Sequence, residues 1–164
     1  MRAISLAEAV RIIEGTFASA QKRNAYPLSA IVLDAGGRVK AFHKQDGSSL
    51  LRFEIAYGKA FAALSLNRSS RQVLQKAKEK PTFMQSLAEL ADGPLFLEGG
   101  GQLIRDDTGE IVGALGVTGV VNEVDDLCAN DGIHAGGFRA DDDFDAAAVK
   151  RLNIKKDPPL RDPR

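Results

Sequence analysis

The sequence predicts an α+β (α/β) fold in which helices cover a largely antiparallel sheet. Runs with helical spacing alternate with short β-rich runs in the order α-β-β-α-α-β-β-β-α-α. Two short turn motifs, Asp34–Gly37 and Asp106–Gly109, join neighbouring β-rich runs as hairpins, and hairpins pair strands antiparallel.

The first predicted element is a helix that ends near Lys22–Asn24. Ser5 and Glu8 have the spacing of a capping box, in which each side chain satisfies a backbone N–H at the helix start. Helical spacing then predicts one apolar stripe, made of Leu6, Val10, Ile13 and Phe17.

A β-hairpin and three further helices are predicted next. The hairpin strands are Ala30–Leu33 and Val39–His43. A helix capped by Ser48 or Ser49 then runs to about Leu66, with a small-residue face at Ala56, Ala60 and Ala63. Ser69-Ser70 caps the next helix, Pro81 ends it, and Thr82–Leu90 forms a short helical continuation.

The C-terminal half changes to a strand pattern and then returns to helices. Three strands are predicted at Leu95–Leu97, Gln102–Arg105 and Ile111–Val117. A helix starts at Asn122, carries acidic residues in its first turn, where the helix dipole favours them, and ends near Gly136-Gly137. One domain therefore spans residues 1–140. Residues 141–164 hold a short helix, Phe144–Leu152, and a charged tail that is either disordered or an extended arm on a neighbouring subunit.

Composition excludes several classes of partner. The chain has 164 residues, with 22 basic and 22 acidic side chains, so no net positive field attracts nucleic acid. No apolar run approaches the roughly 20 residues of a membrane span. The single cysteine, Cys128, allows no internal disulfide, and with no signal peptide pattern the sequence predicts a cytoplasmic protein.

Several segments resemble the GlcG/HbpS-like family, which includes the C-terminal domain of PduO-type proteins. The resemblance is carried by "IVLDAGGRVKAFHKQDG", "EIAYGKAFAAL", "EGGGQLIRDDTGEIVGALGVTG" and "DDLCANDGI". It implies an α-β-α sandwich around a central, mostly antiparallel five-stranded sheet, a symmetric homo-oligomer, and haem as a possible ligand. Three positions depart from the family pattern: Glu98 stands where proline is usual, and Tyr57 and His134 replace other residues. Haem and a different ligand are therefore both open.

Glu98 is the leading candidate for acid–base chemistry. It precedes Gly99–Gly101, and a carboxylate among apolar residues and glycines would lose solvation, which raises a pKa toward neutrality. The alternative is an exposed charge on an edge strand. The glycines either line a pocket or serve a bend with close packing.

Two further features would hold an acidic ligand. Gly116–Gly119 lead into the Asn122 helix, whose N-terminus can bind a carboxylate together with the Thr118 hydroxyl, unless Asn122 satisfies the free N–H groups itself. Lys59 lies on the second helix, either at the surface or buried as an anchor or base, and Arg52 lies nearly two turns before it. Arg52 alternatively pairs with Glu54 or Asp46.

His43 and His134 are the two histidines and thus the possible histidine ligands of haem. Tyr26 and Tyr57 add phenolic ligands or proton donors. No zinc signature is present.

Two functions follow, beside a structural oligomer whose pocket is vestigial. The first is a small-molecule-binding protein with haem or another planar ligand between subunits. The second is a cofactor-independent lyase or isomerase of small aromatic or hydroxy acids. The predicted catalytic residues are Glu98, Lys59 and Tyr57. The predicted substrate-binding residues are Arg52, Asp46, Gly99, Gly100, Gly116, Thr118, Gly119, Asn122 and Asp125.

Overall fold

The computed structural model describes residues 2–160 and has an α+β fold with helices on both faces of an antiparallel sheet. The elements are α1 (Leu6–Lys22), β1 (Ser29–Asp34), β2 (Val39–Lys44), α2 (Arg52–Leu66), α3 (Ser70–Glu79), α4 (Pro81–Leu90), β3 (Gly101–Arg105), β4 (Ile111–Thr118), α5 (Asn122–Ala135), a 3₁₀ turn (Asp141–Asp143) and α6 (Ala146–Leu152).

The sheet of the described residues has four strands in the order β2-β1-β4-β3, so the expectation of five strands is wrong. The missing strand is Leu95–Leu97. The Phe96 N–H donates to the Gly58 carbonyl of α2 at 3.2 Å instead of joining the sheet. Leu95 and Leu97 pack against a small apolar cluster around Val73. Their apolar character therefore reflects helix packing, not strand pairing.

Strand β1 separates two parts of the core. Its side chains alternate between the faces, with Ala30 and Val32 in a cluster under α1 and α5 and Ile31 and Leu33 in a cluster under α2. Because β1 is covered on both faces, it is nearly continuously apolar.

Small residues set how closely the helices approach. On one face, a Cβ at Gly132 of α5 would lie 2.0 Å from Thr16 Oγ1 of α1. Thr16 is buried here and Leu6 is 58% exposed, so the buried face of α1 is rotated relative to the predicted stripe. On the other face, Ala56, Ala60 and Ala63 of α2 are buried, as their spacing predicts.

The helix ends agree with the sequence in part. The capping box of Ser5 and Glu8 is present, and the Ser69 hydroxyl caps α3. Ser48 and Ser49 do not cap α2. Ser48 Oγ donates to the Leu28 carbonyl, and Ser49 Oγ accepts from Arg52 Nε.

The end of the chain packs on its own protomer as far as the structure describes it. Asp145 caps α6, which begins two residues later than predicted. Asp157 accepts a 2.8 Å hydrogen bond from Ser69, and Lys156 Nζ donates to the Phe144 carbonyl at 2.6 Å. Residues 161–164 lie outside the described residues.

Candidate functional site

The candidate site lies where the end of β4 meets the starts of β3, α2 and α5. Lys59 Nζ donates to the Val117 carbonyl at 3.0 Å and to Asp125 Oδ2 at 3.2 Å. Lys59 is 2% exposed and Asp125 1%, so this ion pair lies inside the protein. Lys59 is therefore a buried residue, the second of the two alternatives that the sequence leaves open.

The glycines before β3 make room for this ion pair. A Cβ at Gly100 would lie 3.1 Å from Lys59 Nζ and 3.1 Å from Asp125 Cβ, and φ at Gly100 is +110°. A Cβ at Gly101 would lie 2.3 Å from the Lys59 carbonyl oxygen. Among the alternatives, the structure favours close packing over open backbone at these positions.

The other glycines of the site also face protein atoms. A Cβ at Gly99 would lie 2.7 Å from Asp126 Oδ2, and one at Gly116 would lie 2.0 Å from the Ala56 carbonyl oxygen. A Cβ at Gly119 would lie 2.5 Å from the Pro27 carbonyl oxygen. These contacts shape the site by letting α2, α5 and the sheet approach one another.

A second buried carboxylate, Asp126, was missed in the sequence. It accepts hydrogen bonds from Gly100 N at 2.8 Å and Gln102 Nε2 at 2.9 Å, and it pairs with Arg71 of α3. The pattern shows a helix start with acidic residues but not which cation faces each of them. The sequence offers one indication of this second site. Asp125 and Asp126 are consecutive on α5, so their carboxylates point in different directions from the helix and can pair with different cations.

Burial raises the pKa of both acids. For Asp125 the loss of solvation outweighs the attraction of Lys59 and raises the pKa to about 6. For Asp126 the direction is the same, opposed by Arg71. Both carboxyl groups therefore hold a proton more readily than an exposed aspartate does.

Glu98 and Asn122 lie at the outer side of this cluster. The Glu98 side chain is half-buried, and Asn122 Nδ2 donates to its Oε2 atom. The Asn122 side chain does not cap α5, whose N-cap residue is Val121. The Val120 N–H contacts Asp125 Oδ1 at 3.3 Å instead. One donor at this helix start is thus satisfied from inside the protein.

Arg52 reaches the same region from the first turn of α2. Its Nη1 donates to the buried Thr118 Oγ1 at 2.7 Å, and its Nε donates to Ser49 Oγ at 3.0 Å. It therefore does not make the alternative pair with Glu54 or Asp46. Asp46 itself lies exposed in the loop between β2 and α2.

Tyr57 is not brought into this cluster. Its hydroxyl donates to the Gly37 carbonyl at 3.3 Å, and its ring stacks with Phe53 and Phe61 at centroid distances of 6.1 and 5.8 Å. Tyr57 and Lys59 are two residues apart on a helix, so they point in nearly opposite directions.

The two histidines lie in different surroundings. His43 is exposed on β2, with its ring centroid 6.5 Å from that of Phe17 in α1. His134 is 48% exposed near the end of α5, with Nε2 2.7 Å from Asp143 Oδ2.

A groove of about 540 Å³ opens along α1, and its wall residue Phe17 is the one that contacts His43. It is lined by Glu14, Phe17, Ala18, Gln21, Tyr26 and Gln45. Its volume falls within the usual range for small-molecule sites, and Phe17 and Tyr26 give it two aromatic walls. Tyr26 is 68% exposed, so the groove is open on that side.

None of the described helices combines the length and the apolar character that a membrane span requires.

No curated protein sequence matches the chain.

Solved structures share the fold. The PduOC:haem complex matches with a TM-score of 0.72 and 23% identity, covering 84% of this chain and 97% of that one. The Klebsiella pneumoniae protein ORFY matches with a TM-score of 0.74 and 22% identity, covering 84% and 92%. A double mutant of Streptomyces reticuli HbpS matches with a TM-score of 0.71 and 24% identity, covering 82% and 87%.

The family model described as haem degrading protein HbpS-like matches residues 4–134, most of the chain and the whole of the candidate site. The chain therefore belongs to the HbpS-like family.

Proposed function

We propose that the protein binds a planar, amphipathic small molecule in the groove between α1 and the loop residues Tyr26 and Gln45, with haem as the leading candidate. The observation that carries this proposal is a groove of about 540 Å³ with two aromatic walls, one of which, Phe17, has its ring centroid 6.5 Å from that of the exposed His43. Imidazole is a common axial ligand of haem iron, and flat aromatic side chains pack well against a macrocycle.

The residues of the groove fit haem in their chemistry. His43 would supply the iron ligand, while Phe17 and Tyr26 would cover the faces of the ring. Neither histidine lines the groove itself, but His43 contacts the lining residue Phe17, whereas His134 is held by Asp143 near the end of α5. A bound haem would supply one-electron and oxygen chemistry, and the chain's own residues would bind and orient it.

The family gives independent support. The matching family model is described as haem degrading, and a relative with the same fold was solved as a haem complex. Titration of the purified protein with haemin tests the proposal. We expect a saturable shift of the Soret band at one haem per groove, and a spectrum equal to that of free haemin would contradict it.

A second candidate is an enzyme that uses the cluster around Glu98. The half-buried Glu98 carboxylate accepts a hydrogen bond from Asn122. Asn122 lies four residues after Thr118, whose hydroxyl accepts a hydrogen bond from Arg52. In this proposal Arg52 anchors the substrate carboxylate and Glu98 moves a proton, as in a cofactor-independent lyase or isomerase step. Lys59 acts as a positioning residue, because its ammonium group already donates to Asp125 and Val117.

Replacement of Glu98 tests the enzymatic proposal. With small aromatic and hydroxy acids as substrates, Glu98→Gln should lower turnover by about 10²–10⁴-fold with an unchanged fold. Glu89→Gln, at an exposed position on α4, is the matched control and should retain full activity. Equal turnover in both variants would exclude Glu98 as the proton-transfer group.

We also propose a cytoplasmic homo-oligomer. The single cysteine and the family membership support this proposal. In size-exclusion chromatography, an elution volume well below that of a 17.6 kDa globule would agree with it, and a monomer in solution would contradict it.

A further inference from the structure

The end of the sheet beneath the start of α2 carries polar side chains on one face. Ser29 of β1 lies opposite Thr118 of β4 and opposite Lys44 of β2. Directly opposite residues of antiparallel strands share a face. Ile31, two residues along β1, belongs to the apolar cluster under α2, so Ser29, Thr118 and Lys44 lie on the α2 face.

Arg52 closes this end of the sheet from above. It makes its two hydrogen bonds to the neutral hydroxyls of Thr118 and Ser49. These bonds use two of the five guanidinium N–H groups. Within residues 2–160, neither Arg52 nor the exposed Lys44 has a carboxylate at ion-pair distance. Two positive charges therefore lie at this place without an internal counter-charge.

The Ser29 hydroxyl is an orphan in this arrangement. Ser29 is fully buried, and its Oγ atom has no hydrogen-bond partner in the described part of the chain. A buried polar group without a partner costs about 1–3 kcal/mol. An oxygen of a bound molecule would accept the Ser29 proton and remove this cost.

Aromatic and aliphatic side chains flank the polar group. Phe42 precedes Lys44 by two residues on the same face of β2, and its ring meets Phe53 edge to face at 4.9 Å. Phe53 follows Arg52 and is 38% exposed, and Leu50 before it is 85% exposed. The site thus joins a cationic, hydroxyl-lined end to an exposed apolar wall.

We propose that this site binds the carboxylate of a small aromatic acid. Arg52 and Lys44 supply the positive charge, Ser29 donates its free hydroxyl proton, and the Phe42–Phe53 pair packs against the ring. The site lies on the opposite face of the sheet from His43, so it is distinct from the haem groove. It shares Arg52 with the second candidate function, but its occupancy requires no turnover.

The test is a calorimetric and ¹H–¹⁵N NMR titration with benzoate, with benzyl alcohol as the uncharged counterpart and inorganic phosphate as a non-planar anion. Benzoate should bind saturably and shift the amide signals of Ser29, Arg52 and Thr118. Benzyl alcohol and phosphate should bind at least tenfold more weakly. No saturable benzoate binding, or equal binding of benzyl alcohol, would overturn the proposal. Phosphate binding as tight as that of benzoate would also overturn the proposal, because it would indicate a site for anions in general.

Three variants separate binding from folding. Arg52→Gln should weaken benzoate binding by roughly ten- to a hundredfold, since hydrogen bonds to charged groups contribute about 1.5–3 kcal/mol. Ser29→Ala removes an unpartnered buried hydroxyl, so it should weaken binding severalfold while the folded state becomes no less stable. Arg38→Gln, exposed after the β1 turn, is the matched control. Equal affinity in all three variants would contradict the assignment. The benzoate affinities test this site independently of the enzymatic proposal, because they do not depend on whether Glu98→Gln changes turnover.

Discussion

The ammonium group of Lys59 lies 3.2 Å from the Asp125 carboxylate, and their side chains are 3% and 1% exposed. The pair connects α2 to α5. It fits beside the start of β3 because Gly100 has no side chain that would contact Lys59 and Asp125. A buried ion pair of this kind contributes little net stability against an apolar pair, but it is costly to break, because the remaining charge stays buried. It fixes the relative position of the elements around Glu98 and Arg52.

Removal of one partner should therefore destabilise the protein strongly. We expect Asp125→Asn to lower the free energy of unfolding by about 3–5 kcal/mol, because Lys59 loses its counter-charge in the interior. Urea denaturation measures the effect. The double variant Lys59→Met/Asp125→Leu should recover most of the loss, since two apolar side chains leave no buried charge. Additive losses in the double variant would contradict the buried pair.

The Asp125 carboxyl should titrate near pH 6. Its pKa is raised to about 6 by burial, against 3.8 for the unperturbed group. Between these values the folded state keeps a proton that the unfolded chain has released, so this group makes the folded state less stable as pH rises from about 4 to about 6. Carboxyl ¹³C NMR measures the titration directly. A midpoint at or below that of an exposed aspartate would contradict the burial of this group.

The close contacts of the glycines give a third prediction. In Gly116→Ala the new Cβ would lie 2.0 Å from the Ala56 carbonyl oxygen, so α2 must move away from the sheet. We expect a loss of at least about 1–3 kcal/mol of folding free energy, as for other overpacked interiors. Gly36→Ala, where the nearest atom is Asp34 Oδ1 at 3.3 Å, serves as the control and should change stability by about 0.5 kcal/mol or less. Similar unfolding midpoints for both variants would show that α2 does not pack as described.

Local sequence patterns predict much of the fold. The Ser5–Glu8 capping box and the hairpin turn at Asp34–Gly37 depend on neighbouring residues, so the sequence predicts them correctly. Leu95–Leu97 is different. An apolar triplet shows that the segment is packed, but it does not show that the partner is a helix carbonyl at Gly58 and not a strand.

The sequence predicts which residues belong to the candidate site better than it predicts how they are paired. Arg52 contacts Thr118 and Glu98 contacts Asn122, but each of these pairs depends on contacts between distant segments. Asp126 appears as one acidic residue among several until Arg71 of α3 is placed against it. The groove combines residues of α1 with Tyr26 and Gln45, which are distant in the chain, so no local sequence pattern predicts it.

The haemin titration of His43→Ala and His134→Ala beside the unchanged protein tests the central claim most directly. The account predicts that the unchanged protein and His134→Ala give the same saturable Soret shift, and that His43→Ala loses it or binds at least tenfold more weakly. An undiminished shift in His43→Ala, or its loss in His134→Ala alone, would contradict the placement of the ligand beside α1 and β2.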